Sequence, residues 1–171
     1  VWALLDRQFS YGIIPLDMRN LAWDPGSIPS SGLPWLWITL VFGVIYLLAY
    51  TRPFDWESPL NVVAFAGFTV ILFMIYSKGF SPQWLGWVLI FVALLMPNLR
   101  GAFYAVVTGF LNLVEANIFF TIVPDEHWLL VVTVGLRTLI FLLLAAELML
   151  ILQPHWLTPT LRSVRRWGLI G

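Results

Sequence analysis

Cysteine is absent from the 171 residues, which excludes disulfides, thiolate metal ligands and thiol nucleophiles. Histidine is nearly absent: His127 and His155 both lie at the edges of apolar runs, so no histidine-based metal centre or ligated pigment array is expected. Charge is scarce too. Only 11% of residues are Asp, Glu, Lys or Arg, against roughly a quarter in soluble domains. The nine basic and nine acidic residues cancel, and a chain without a basic excess has no electrostatic footprint for nucleic acid. No internal repeat and no low-complexity tract interrupts the chain.

What fills the chain is hydrocarbon. Sixty per cent of residues are hydrophobic and the mean hydropathy is +0.88, the composition of a multi-pass integral membrane protein whose first partners are lipids. Ten Trp and five Tyr suit interfacial belts, since many stand near the ends of apolar runs, among them Trp35, Tyr50, Trp56, Tyr76, Trp84 and Trp128. The chain starts at Val1 with no charged stretch followed by a small-residue cleavage site, so a processed start or a longer parent chain is expected.

A membrane-crossing helix takes about 20 apolar residues. Five candidates follow, at about 33–50, 60–76, 84–96, 102–123 and 128–152, and they predict an all-α integral membrane fold. The third is short, stopped by Pro97-Asn98-Leu99-Arg100, and is open to either a full crossing or a re-entrant hairpin. Residues 1–32 alternate charged and apolar side chains and carry Pro15, Pro25 and Pro29, which predicts an external interfacial or cavity-facing segment. Residues 153–171 hold Arg162, Arg165 and Arg166 among Leu161, Val164, Trp167 and Leu169, a basic amphipathic tail suited to the cytoplasmic surface. Five crossings then put the N-terminus outside. Arg52, Arg100 and the three tail arginines fall inside, against Arg7, Arg19 and Lys78 outside, in keeping with the positive-inside tendency.

Two polar features need a reason. Glu115 and Arg137 lie within apolar runs on either side of the turn at Pro124-Asp125, about nine residues before it and about twelve after it. At about 1.5 Å per residue the two depths agree to within about a helical turn. A lone charge in hydrocarbon is costly, so an intramembrane ion pair is expected, with Asn112 and Asn117 available to satisfy remaining polar groups. The pair admits two roles: locking the helices, or lining a polar cavity in which Arg137 meets a phosphate through its planar fork. Glu147 lies about ten residues deeper and is expected to snorkel or cap.

The second feature is the break Ser77-Lys78-Gly79-Phe80-Ser81-Pro82-Gln83-Trp84 between the second and third runs. As a plain hairpin turn, Lys78 reaches the headgroups, Gly79 relaxes the backbone and Pro82 opens the next helix. The same run, entering an apolar span, resembles a segment of GT-C glycosyltransferases, polytopic enzymes that use polyprenyl-phosphate-linked sugars. They include bacterial polyprenol-phosphate-mannose-dependent mannosyltransferases. The later order is also similar: Asn112-Leu113-Val114-Glu115, a turn, then Arg137-Thr138-Leu139 in a Leu-rich helix ending near Glu147. The resemblance covers about residues 60–150.

It implies the C-terminal membrane region of such a transferase, in a bacterial cytoplasmic membrane. The lipid-linked donor would be handled on the external face, and no cofactor other than that donor would be needed. Lys78, Ser81, Gln83 and Arg137 would then bind donor phosphate. The family's acidic catalytic residue belongs to a first external loop that has no counterpart here; Asp6, Asp17 and Asp24 form no matching motif, so the catalytic residue is unassigned. The competing expectation is a small non-catalytic membrane subunit of a larger respiratory or photosynthetic assembly. A transporter fragment, resting on Glu115 and Arg137 alone, lacks repeat symmetry.

Overall fold

The computed structural model describes residues 2–5, 32–77, 82–119, 121–123 and 126–152. Among these residues, apart from a four-residue turn of helix, α1 (Trp2–Leu5), five helices carry the fold: α2 (Trp35–Tyr50), α3 (Pro59–Tyr76), α4 (Leu85–Leu95), α5 (Leu99–Leu113) and α6 (His127–Ile151). A single 3-10 turn, Pro82–Trp84, leads into α4, and a π-helical stretch, Val114–Phe119, prolongs α5. No strand occurs among the described residues.

Among the described residues, three helical stretches are long and apolar enough to cross a membrane: Pro59–Tyr76, Leu99–Phe119 and Trp128–Ile151. At about 1.5 Å per residue they measure roughly 27 to 36 Å, against a hydrocarbon core of about 30 Å. The other two expected spans fall short. The 16 residues of α2 reach about 24 Å and the 11 of α4 about 16 Å. Outward-facing side chains support a lipid environment: Leu36, Leu40, Val44 and Leu48 on α2 and Leu99, Phe103, Val106 and Phe110 on α5 are all exposed. Apolar surface on this scale is untenable in water without a cover.

Helix ends follow local chemistry. Pro59 occupies the first turn of α3, where its missing N–H costs nothing. α5 starts at Leu99 rather than at Ala102, because Asn98 is an N-cap: its Oδ1 accepts from the backbone N–H of Arg100 at 3.0 Å and of Gly101 at 3.2 Å. The polar run that reads as a stop is therefore also a start. This corner is tight enough that a Cβ on Gly101 would lie 1.9 Å from the Met96 carbonyl oxygen. At the far end of α5 the π stretch closes when Ile118 O accepts from Ile122 N at 2.8 Å and Val123 N at 3.0 Å, so the helix stops before residue 123.

α3 occupies the centre, packed against α2, α4 and α6, while α5 packs against α4 and α6. Ala64, Phe68 and Ile71 of α3, Val88 and Val92 of α4, and Phe141, Leu144 and Leu148 of α6 form the buried core. α3 meets α4 closely at Gly67, where an added Cβ would touch the Phe91 ring at 3.0 Å. α2 is peripheral, with Ala49 its one buried residue. Aromatic clusters mark the two ends of the α2–α3 pair. Tyr50, Phe54, Trp56 and Phe65 meet at one end. At the other, Trp2 packs edge-on against Trp35 and donates its indole N–H to Ile75 O at 2.7 Å, capping a carbonyl in the last turn of α3. Apart from residues 2–5 and Gly32, the expected external segment 1–32 lies outside the described residues, as does the expected basic tail 153–171.

Candidate functional site

The polar content of the interior is concentrated between α5 and α6. Thr108, Glu115, Thr133 and Arg137 are the buried polar or charged residues among those described. Glu115 stands at the start of the π stretch and Arg137 near the middle of α6, and each is about 5–6% exposed. Arg137 Nη1 donates to Glu115 Oε2, so the two buried charges form an ion pair. Helix direction helps them meet. Side chains lean toward the N-terminus of their own helix, so on antiparallel neighbours these two lean toward one another and close a difference in depth. Much of the fork's charge is thereby committed to a carboxylate of the same chain.

Nearer the opposite end of the same helix pair, Tyr104 Oη donates to Glu147 Oε1 at 2.8 Å. Glu147 therefore has a partner on α5, where snorkelling or capping was expected from the sequence. The signal was available: Tyr104 lies about five residues into α5 and Glu147 about four before the end of α6, the same depth comparison that joins Glu115 to Arg137. Between the two contacts, Thr108 is 1% exposed and turns its hydroxyl onto its own helix, donating to Tyr104 O at 2.5 Å.

The asparagines do not support the pair as expected. Asn112 Oδ1 is buried with no hydrogen-bond partner among the described residues, and Asn117 is exposed. An orphaned amide oxygen in a low-dielectric interior costs roughly 1–3 kcal/mol.

Of the residues that resemblance associates with donor phosphate, Lys78 and Ser81 lie outside the described residues. Gln83 is exposed in the 3-10 turn that opens α4. Alternating helix directions put that turn at the same end of the bundle as the π stretch and the start of α6, and Trp84 and Trp87 stack beside it with ring centroids 6.5 Å apart. Gln83 and Arg137 thus belong to different elements, and Arg137 is held inside the α5–α6 seam. No group of three or more His, Asp or Glu suited to a metal ion occurs among the described residues. The chain matches no family model, no curated protein and no solved structure.

Proposed function

We propose that this chain is the membrane part of a glycosyltransferase that takes its sugar from a polyprenyl-phosphate donor on the external face of the membrane. In this reading all five long helices are membrane-embedded, with the N-terminus outside and the C-terminus cytoplasmic. The short α2 and α4 are accommodated by local thinning of the bilayer. The observation that carries the proposal is the run Lys78-Gly79-Phe80-Ser81-Pro82-Gln83-Trp84, with Gln83 exposed at the mouth of α4 beside stacked Trp84 and Trp87.

That combination suits a lipid phosphate at the rim. Lys78 supplies a point charge to the phosphate, Ser81 and Gln83 supply hydrogen bonds, and the tryptophans hold the site at headgroup level. Charge that develops on the departing polyprenyl phosphate would be stabilised by the same groups. Arg137 contributes from behind: its charge is taken by Glu115, so its role is to hold α5 and α6 rather than to meet the donor. The general base is not assigned within this chain.

The test is donor binding by the protein in its native membrane, read with a radiolabelled polyprenyl-phosphate sugar. Lys78→Ala/Gln83→Ala should weaken binding at least tenfold while leaving the protein folded and membrane-inserted. Equal binding by parent and variant, or none by either, would overturn the proposal. The largely uncovered α2 would then favour a non-catalytic subunit packed in a larger membrane assembly.

A further inference from the structure

The two polar contacts between α5 and α6 share a spacing. Tyr104 and Glu115 stand eleven residues apart on α5; their partners Glu147 and Arg137 stand ten apart on α6. At about 1.5 Å per residue these separations are about 16 Å and 15 Å, equal to within one residue's rise. Antiparallel helices can satisfy both contacts together only if the separations match. A slide of one turn, about 5.4 Å, would break both at once.

Apolar packing alone specifies this register weakly. The face that α6 turns inward is a run of similar aliphatic side chains, Leu130, Val134, Ile140, Leu144 and Leu148 among them. Lipid tails are as apolar as leucine, so burial does little to rank one register over its neighbour a turn away. Buried polar contacts do rank them, because a slid register leaves a carboxylate and a guanidinium unpaired in hydrocarbon. Thr108, midway along the seam, satisfies its hydroxyl within its own helix and so offers no competing cross-helix contact.

We infer that Tyr104–Glu147 and Glu115–Arg137 act as two pins of a register lock that holds α5 and α6 in one antiparallel alignment. Removing the pins releases the pair into registers differing by a helical turn. Either contact alone would be an isolated stabilising pair, but together they measure one helix against the other.

The absence of cysteine makes the test direct. Phe103→Cys and Val131→Cys, at exposed positions near opposite ends of the pair, take spin labels whose separation follows axial sliding almost one to one. Distances are read by pulsed electron paramagnetic resonance on the purified chain in lipid nanodiscs. The otherwise native chain should show one narrow distribution. With Tyr104→Phe, Glu115→Leu and Arg137→Leu added, a second population displaced by about 5 Å should emerge. The exchanged pair Glu115→Arg/Arg137→Glu, with Tyr104 intact, should return the single parental distance. An unchanged single distance in the pin-free protein overturns the lock. Should that protein fail to fold, the exchanged pair decides alone: retention of the parental distance supports the lock, and loss of it overturns the inference.

Discussion

Arg137→Leu removes one partner of the buried ion pair and leaves Glu115 facing an apolar side chain. Both residues are nearly inaccessible, so water does not replace the lost guanidinium. Breaking a buried pair from one side costs about 3–5 kcal/mol, because the remaining charge keeps its desolvation penalty and loses its compensation. Replacing both partners, Glu115→Leu/Arg137→Leu, removes charge and penalty together and should fall within about 1 kcal/mol of the parent, or above it. The two variants therefore order in a way that a simple count of lost contacts does not predict: the double change is milder than the single one. Reversible unfolding in mixed micelles, followed by the fluorescence of the ten tryptophans, gives both values. An Arg137→Leu protein within about 1 kcal/mol of the parent, or a double variant as unstable as the single, would refute this order. The first result would mean that Glu115 finds another partner, the second that the site cannot repack around leucine.

Two further substitutions test the packing of α5. Gly101→Ala places a methyl 1.9 Å from the Met96 carbonyl oxygen, and since that neighbour is backbone the corner must open; a loss of about 1–3 kcal/mol is expected in the same unfolding assay. Asn112→Leu deletes an amide oxygen that is buried with no partner among the described residues, so it should be neutral or stabilising by up to about 1 kcal/mol, and a loss above that would show that the oxygen is hydrogen-bonded in the folded protein.

How far the molecule was legible in its sequence depends on whether a feature has an axial coordinate. Helix ends and depths do. Apolar runs bounded by Pro59 or by the polar turn before Trp128 place α3 and α6 within one or two residues of the ranges expected, 60–76 and 128–152. Depth likewise suggests that Glu115 meets Arg137, and the same comparison joins the Tyr104 hydroxyl to Glu147. The start of α5 is ambiguous in the sequence because Asn98 follows a proline and reads as part of a stop, although asparagine before an apolar run is also a helix-start signal.

Lateral arrangement has no such coordinate. α3 packs extensively on α6, three helices further along the chain, yet α3 is apolar on nearly every side. A helix with no polar face does not announce which side turns inward, and in a bilayer both choices bury hydrocarbon against hydrocarbon. Only α5 carries enough polar side chains on one face to declare an orientation. Its declaration is incomplete: Thr108 and Glu115 lie inside, while the neighbouring Asn112 is half-buried, with an oxygen that no described residue pairs. The widened π turn begins just beyond that asparagine and contains Glu115, a backbone change that no side-chain periodicity encodes. The residues that fix the α5–α6 seam are therefore few and were mostly visible in the sequence. The helical surface that presents them is decided by packing against α3 and α4, which a pattern of leucines and phenylalanines leaves open.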